Sequence, residues 1–339
     1  MAKTSAQKKR PNTPRPPVKA RGGRPAGLFT WVAVGLVVIV VAALVIIKVA
    51  SGGTAKSGSS SFTPISAANL TALTTVPASV FNTVGVTSPI AQVSSPQPVA
   101  GQPELTATNA AGVKVPEVVY IGAEYCPYCA AQRWATIVAL SRFGTFTGLG
   151  NMSSYSGDVY PNTPTFTFVK ATYKSKYLVF KTDEEYTNYL DAAGTYYASL
   201  QKPTAQESAL ITKYDTPKYI KGLTSSDAGS IPFIDFANKF LVAGASYSPT
   251  TLAGSTRNNI AAALSNAASP VTEAIIASAN YQTASICSLT AATPGAAESP
   301  SRPRVNLEAL RIFTARRRPT FICWTSNAVS VPGRPRAAQ

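Results

Sequence analysis

The strongest constraint on this chain is the order of local signals around two cysteines. Pro116-Glu117-Val118-Val119-Tyr120-Ile121-Gly122 is a short β-branched and aromatic run ending in glycine, the pattern of a buried central strand. Cys126-Pro127-Tyr128-Cys129 follows it directly. Beyond the pair, Trp134, Ile137, Val138 and Leu140 recur at roughly helical spacing as far as Phe143, with Gly144 as the expected C-cap. Strand, cysteine turn and helix in that order predict a dithiol held at a helix N-terminus.

That placement carries chemistry. Backbone N–H groups and the positive end of the helix dipole face Cys126 and favour thiolate over thiol, so Cys126 is expected to attack, with a pKa below the free value of about 8.5. Cys129, one turn further in, is positioned to resolve a mixed disulfide. Pro127 sets the first turn without wasting an amide donor, and Tyr128 is expected to tune the potential. Glu124 would oppose the thiolate if it faces the sulfur. The same two sulfurs also fit an inert clip, half of a zinc site, or a copper carrier. Four-coordinate zinc needs a second pair, and Cys287 and Cys323 stand far apart in a chain without histidine, so neither a metal nor a cofactor is expected. The absence of histidine also excludes Ser-His-Asp and Cys-His catalysis.

A net charge of +16 invites a nucleic-acid reading, but the excess sits at the two ends. Eight cations and no acid precede Pro25, eight arginines and the single acid Glu308 follow Ser301, and the span between holds 15 basic and 14 acidic residues. No nucleic-acid partner is expected. From Pro25 to Ile47 the chain runs 23 residues without a charge, dominated by Val, Ile, Leu and Ala, enough for a helix spanning about 30 Å of hydrocarbon. With eight cations before it and only Lys48 and Lys56 soon after it, the positive-inside rule puts the N-terminus in the cytoplasm and exports the rest. A cleavable signal peptide is the competing reading, although its apolar core is usually shorter, about 7 to 15 residues.

Past the apolar segment, Ser51 to Ser61 reads as a Gly/Ser/Lys-rich stalk, Asn69 to Leu73 and Pro77 to Val84 as short helices, and Thr87 to Pro103 as a linker. Thr165 to Thr172 and Tyr177 to Lys181 alternate like strands, Asp183 to Leu200 reads as a helix, and Ile231 to Phe236 with Phe240 to Ala245 as a hairpin. Thr251 to Ser265 and Pro270 to Leu289 are helical by pattern, with Ser269 available as N-cap. Such a mixture predicts an α/β or α+β class. Ile231-Pro232 is the second functional element: a cis proline beside the dithiol would expose the preceding backbone to an extended substrate peptide, whereas an ordinary trans proline would merely start a strand. The scattered tyrosines are assigned no role.

At Tyr120-Ile121-Gly122-Ala123-Glu124-Tyr125-Cys126-Pro127-Tyr128-Cys129-Ala130-Ala131-Gln132-Arg133-Trp134 the chain resembles the thioredoxin superfamily, with a glutaredoxin-like Pro-Tyr between the cysteines. Together with Val76 to Phe81, Thr163 to Phe180 and Ile231 to Asp235, it more closely resembles the membrane-anchored archaeal and actinobacterial family called domain of unknown function 929. The resemblance implies a thioredoxin-like central sheet with flanking helices, preceded by one transmembrane helix. The expected plan is a basic cytoplasmic tail at 1–24, a transmembrane helix at 25–48, stalk and linker at 49–110, a thioredoxin-like domain at 111–290 and a basic tail at 291–339. It also implies a disulfide partner for Cys287 soon after it, for which Cys323 is the only cysteine left. The Arg/Pro-rich tail after Pro300 reads either as a disordered extension or as an out-of-frame stretch of a GC-rich gene.

The expected function is thiol-disulfide exchange outside the cytoplasm on exported protein thiols or disulfides, with Cys126 attacking, Cys129 resolving, Ile231-Pro232 holding the substrate backbone and a membrane oxidoreductase as possible electron partner. The alternatives are a redox-inactive cell-envelope adaptor of the same fold and a copper-binding chaperone.

Overall fold

A computed structural model describes residues 62–86 and 92–290. The apolar segment at 25–48, the basic tails and Cys323 lie outside the described residues. Among the described residues, no helix is long and apolar enough to cross a membrane.

The described chain is mixed α/β. Its helices are α1 (Ala67–Thr74), α2 (Ala78–Val84), α3 (Pro127–Ser141), α4 (Ala205–Tyr214), α5 (Arg257–Ala263) and α6 (Pro270–Thr290). Its strands are β1 (Thr63–Pro64), β2 (Gln97–Pro98), β3 (Thr106–Thr108), β4 (Lys114–Gly122), β5 (Gly144–Thr147), β6 (Gly150–Ser153), β7 (Pro164–Thr167), β8 (Thr172–Ser175), β9 (Val179–Glu184), β10 (Tyr186–Leu190), β11 (Tyr197–Ser199), β12 (Phe233–Phe236) and β13 (Phe240–Ala243).

The main sheet has six strands and is organised around β4. β12 pairs antiparallel with β4, Phe233 opposite Ile121 and Phe236 opposite Val118, while β9 runs parallel to it from Glu117↔Val179 to Gly122↔Glu184. A strand paired along both sides and covered on both faces needs apolar residues at successive positions, which is what the Val118 to Ile121 run supplies. Its alternation divides the core. Val118 and Tyr120 pack with Trp134, Ile137 and Val138 of α3, with Ile275 and Ile276 of α6, and with Ile234 and Phe236 of β12. Val119 and Ile121 pack on the other face with Phe233, Leu241, and Leu210 and Tyr214 of α4. Each fully buried Val or Ile here contributes about 1.5–3 kcal/mol.

α6 is buried around most of its circumference, and its small residues let it lie between α3 and α2. Its polar groups are spent on neighbours: the Asn280 side-chain amide donates to the carbonyls of Phe81 (3.0 Å) and Gly85 (2.6 Å), and Gln282 accepts from the Thr136 hydroxyl at 3.0 Å. The β12–β13 hairpin matches the sequence expectation. Its turn residues Ala237 and Asn238 have φ of 55° and 58°, and Asp235 accepts the Asn238 amide at 2.6 Å.

Four expectations are corrected. The helix expected over Asp183 to Leu200 is instead the end of β9 followed by the antiparallel pair β10 and β11, because Tyr186, Thr187, Tyr189, Tyr196 and Tyr197 favour extended backbone and Gly194 turns the chain at φ +69°. Gly144 is not the C-cap of α3: that cap is Arg142, and Gly144 begins β5, where a Cβ would stand 2.4 Å from the Lys174 carbonyl oxygen. The strand expected over Thr165 to Thr172 divides into β7 and β8, which pair in different sheets. The helix expected over Thr251 to Ser265 divides into a 3-10 turn at Pro249–Leu252 and α5, with Gly254 between them at φ +72°.

Candidate functional site

The dithiol sits where β4 ends and α3 begins. Gly122 closes the strand and Cys126 takes extended backbone angles (φ −75°, ψ 121°) as the N-cap residue of α3, with Pro127 as the first helical residue. Its sulfur does what a Ser or Asp oxygen does at other helix starts: it accepts the Cys129 amide at 3.2 Å. As a thiol it also reaches the Ile231 carbonyl at 3.8 Å. The Ile231-Pro232 bond is cis and leads into β12, so the pairing of β12 with β4 brings residues 105 positions apart to the same end of the sheet. Cys126, Cys129, Pro127, Tyr128, Ile231 and Pro232 thus form one cluster.

The two cysteines are free thiols in unlike surroundings. Cys126 is 5% exposed and Cys129 fully buried, while Tyr128 between them is 41% exposed. The hydrogen bond from the Cys129 thiol lowers the Cys126 pKa most; burial opposes it, and the Cys129 amide, the Arg133 guanidinium and the Tyr128 amide add to the lowering. Burial pushes Cys129 well up, reinforced by its bond to Cys126 and by the charge there. This division gives one sulfur ready to carry charge and a second that keeps its proton. Glu124 turns inward, hydrogen-bonded to the Thr167 side chain; burial raises its pKa and favours its neutral form. Cys287 is disulfide-bonded, and Cys323, its expected partner, lies outside the described residues.

Below the dithiol lies a group that sequence reasoning passed over. Arg133, on the same helix, is fully buried and forked onto Glu184 of β9, Nε to Oε1 at 2.8 Å and Nη2 to Oε2 at 2.5 Å, with Nη2 also donating to the Ala123 carbonyl at 2.7 Å. A charged residue four positions after Cys129 on the face carrying Ala130 and Trp134 was the available signal. Tyrosines surround the mouth: Tyr125 stacks on Tyr197 with ring centroids 3.8 Å apart, Tyr155 meets Tyr197 edge-on at 5.3 Å, and Tyr128 meets Tyr160 edge-on at 5.8 Å. The β10–β11 pair supplies Tyr186 and Tyr197, which is why reading that stretch as a helix hid this wall.

The model of the family described as domain of unknown function (DUF929) matches residues 104–288, more than half of the chain. No curated protein and no solved structure matches.

Proposed function

The chain belongs to the DUF929 family, and for this member we propose a membrane-anchored thiol-disulfide oxidoreductase that acts outside the cytoplasm on exported proteins. The observation that carries this reading is the Cys126 sulfur, held at the start of α3 by the Cys129 amide at 3.2 Å and facing the Ile231 carbonyl at 3.8 Å. A sulfur bound this way has its anion stabilised by helix amides, while the second thiol, one turn deeper, keeps its proton until a mixed disulfide forms. Cys126 attacks a substrate disulfide, Cys129 displaces the substrate sulfur from Cys126, and the Ile231 carbonyl lies where the backbone of an extended substrate would pair.

A thioredoxin-like topology is the finer reading of the mixed α/β fold. It is supported by β4 running between antiparallel β12 and parallel β9, with the dithiol at its end and a helix immediately after. The extracytoplasmic setting rests on the 23-residue uncharged segment and its one-sided cations.

One observation favours a second reading. Cys126 keeps only 5% of its surface, as an inert dithiol in an adaptor domain would. The reduction potential decides between them. The full chain is equilibrated in thiol-disulfide buffers, trapped by alkylation, and the peptide carrying Cys126 and Cys129 is quantified by mass. A reversible couple between about −120 and −270 mV supports the oxidoreductase, and one resistant to reduction below about −300 mV supports the structural pair.

A further inference from the structure

The resolving half of thiol exchange poses a problem that the burial of Cys129 makes acute. Its sulfur must become an anion, if only briefly, at a place where water cannot solvate it. Two donors nearby are uncommitted. Arg133 is fully buried; its Nε and Nη2 are occupied by Glu184 and the Ala123 carbonyl, and its Nη1 has no acceptor among the described residues. Tyr120, on β4, is fully buried too, and its hydroxyl likewise has no partner among the described residues.

The placement of these groups is specific. Arg133 stands one helical turn below Cys129 on α3. Tyr120 leans along β4 toward the end from which the dithiol loop departs: a Cβ built on Gly122 would meet its hydroxyl oxygen at 2.3 Å. The absence of a side chain at Gly122 is what makes room for that hydroxyl. The Arg133 guanidinium carbon lies 5.9 Å from the Tyr120 ring centroid, so the helix and the sheet bring the two side chains together, and both lie close enough to Cys129 to interact with its charge. Buried donors without acceptors are costly. Glu184 is already engaged by the guanidinium fork.

We propose that Arg133 and Tyr120 are positioning residues that stabilise the negative charge on Cys129 as it resolves the mixed disulfide on Cys126. The inference rests on the oxidoreductase reading. Starting from Cys126 joined to a substrate sulfur, the Cys129 thiol loses its proton, its sulfur bonds to Cys126 Sγ and the bond from Cys126 to the substrate sulfur breaks. The electron pair leaves on the substrate sulfur, which takes up a proton. Over both steps the dithiol loses two electrons and the substrate disulfide gains them. The charged and titratable groups acting on one another here are Cys126 at the N-cap, Cys129 and Arg133 of α3, Glu124 and Tyr125 of the loop before it, Tyr120 of β4 and Glu184 of β9.

The test uses the full chain, reduced at the dithiol and mixed with 5,5′-dithiobis(2-nitrobenzoic acid). Attack by Cys126 releases one thionitrobenzoate in a phase that depends on reagent concentration; attack by Cys129 then releases the second in a phase that does not. Tyr120→Phe removes one donor and little volume. It is expected to slow the second phase about tenfold at pH 7 and to leave the first within about twofold. Arg133→Lys, which keeps a charge but loses the fork, is expected to slow the second phase as well. The inference is overturned if both variants keep the second phase within about twofold of the parent, or if both phases slow alike alongside a lowered unfolding midpoint, which marks a merely structural role. An absent first phase in the parent chain refutes the oxidoreductase reading itself.

Discussion

Replacing Glu184 by Gln offers a sharp test of how the site is held. Glu184 accepts Arg133 Nε at 2.8 Å, Nη2 at 2.5 Å and the Phe168 amide at 3.4 Å, and both charged side chains are fully buried. Glutamine has nearly the same shape but no charge, so the guanidinium is left uncompensated in the core. Breaking a buried pair from one side costs about 3–5 kcal/mol. Removing both partners, as in Arg133→Met with Glu184→Met, eliminates the charge instead of stranding it and is expected to cost much less than either single change in sum. Equilibrium urea unfolding at pH 7, followed by near-ultraviolet circular dichroism, measures these differences. With a denaturant slope of roughly 1–3 kcal/mol/M, Glu184→Gln should lower the midpoint by about 1 M or more. A loss below about 1 kcal/mol for Glu184→Gln, or strict additivity of the two single changes, refutes the view that the pair is a dry, mutually dependent unit.

Three further outcomes follow from other contacts. Because the Cys129 thiol is the largest influence lowering the Cys126 pKa, Cys129→Ala should move the pH midpoint of Cys126 alkylation by iodoacetamide upward, and an unmoved midpoint would leave the lowering to the helix amides and Arg133. Burial pushes Asp235 up to about 7, above its unfolded value, so its stabilising proton is fully bound below about pH 4 and lost as pH rises through about 7. Stability should therefore fall across that window by up to about 4 kcal/mol relative to Asp235→Asn, as read from urea midpoints at several pH values. Gly144→Ala places a methyl group 2.4 Å from the Lys174 backbone oxygen and should destabilise by about 1–3 kcal/mol in the same assay, whereas a neutral result would mean β5 and β8 can separate freely.

Much of the site is legible in the sequence because its signals are local. A β-branched run, a cysteine at a helix start and a proline at the first helical position depend on residues within a few positions of one another, and β4, the Cys126 cap and α3 follow from them. The hairpin of β12 and β13 and the long helix α6 were legible for the same reason. The tyrosine-rich stretch from Tyr186 to Tyr197 was misread because its apolar positions fit a helix about as well as a strand, and pairing across Gly194 decided it. α4 drew no expectation, although Thr204 and Glu207 form a capping box at its start.

The sequence by itself determined the dithiol, its helix, the mixed α/β class and the division of charge between the chain ends and its middle. Only tertiary structure decided what surrounds the sulfurs. The Ile231 carbonyl reaches Cys126 through the register of β12 on β4, and Arg133 finds Glu184 through the parallel pairing of β9. The physical reason is that a buried charge or an unpartnered hydroxyl is tolerable only beside particular groups far away in the chain, and no local periodicity records which strand will bring them there.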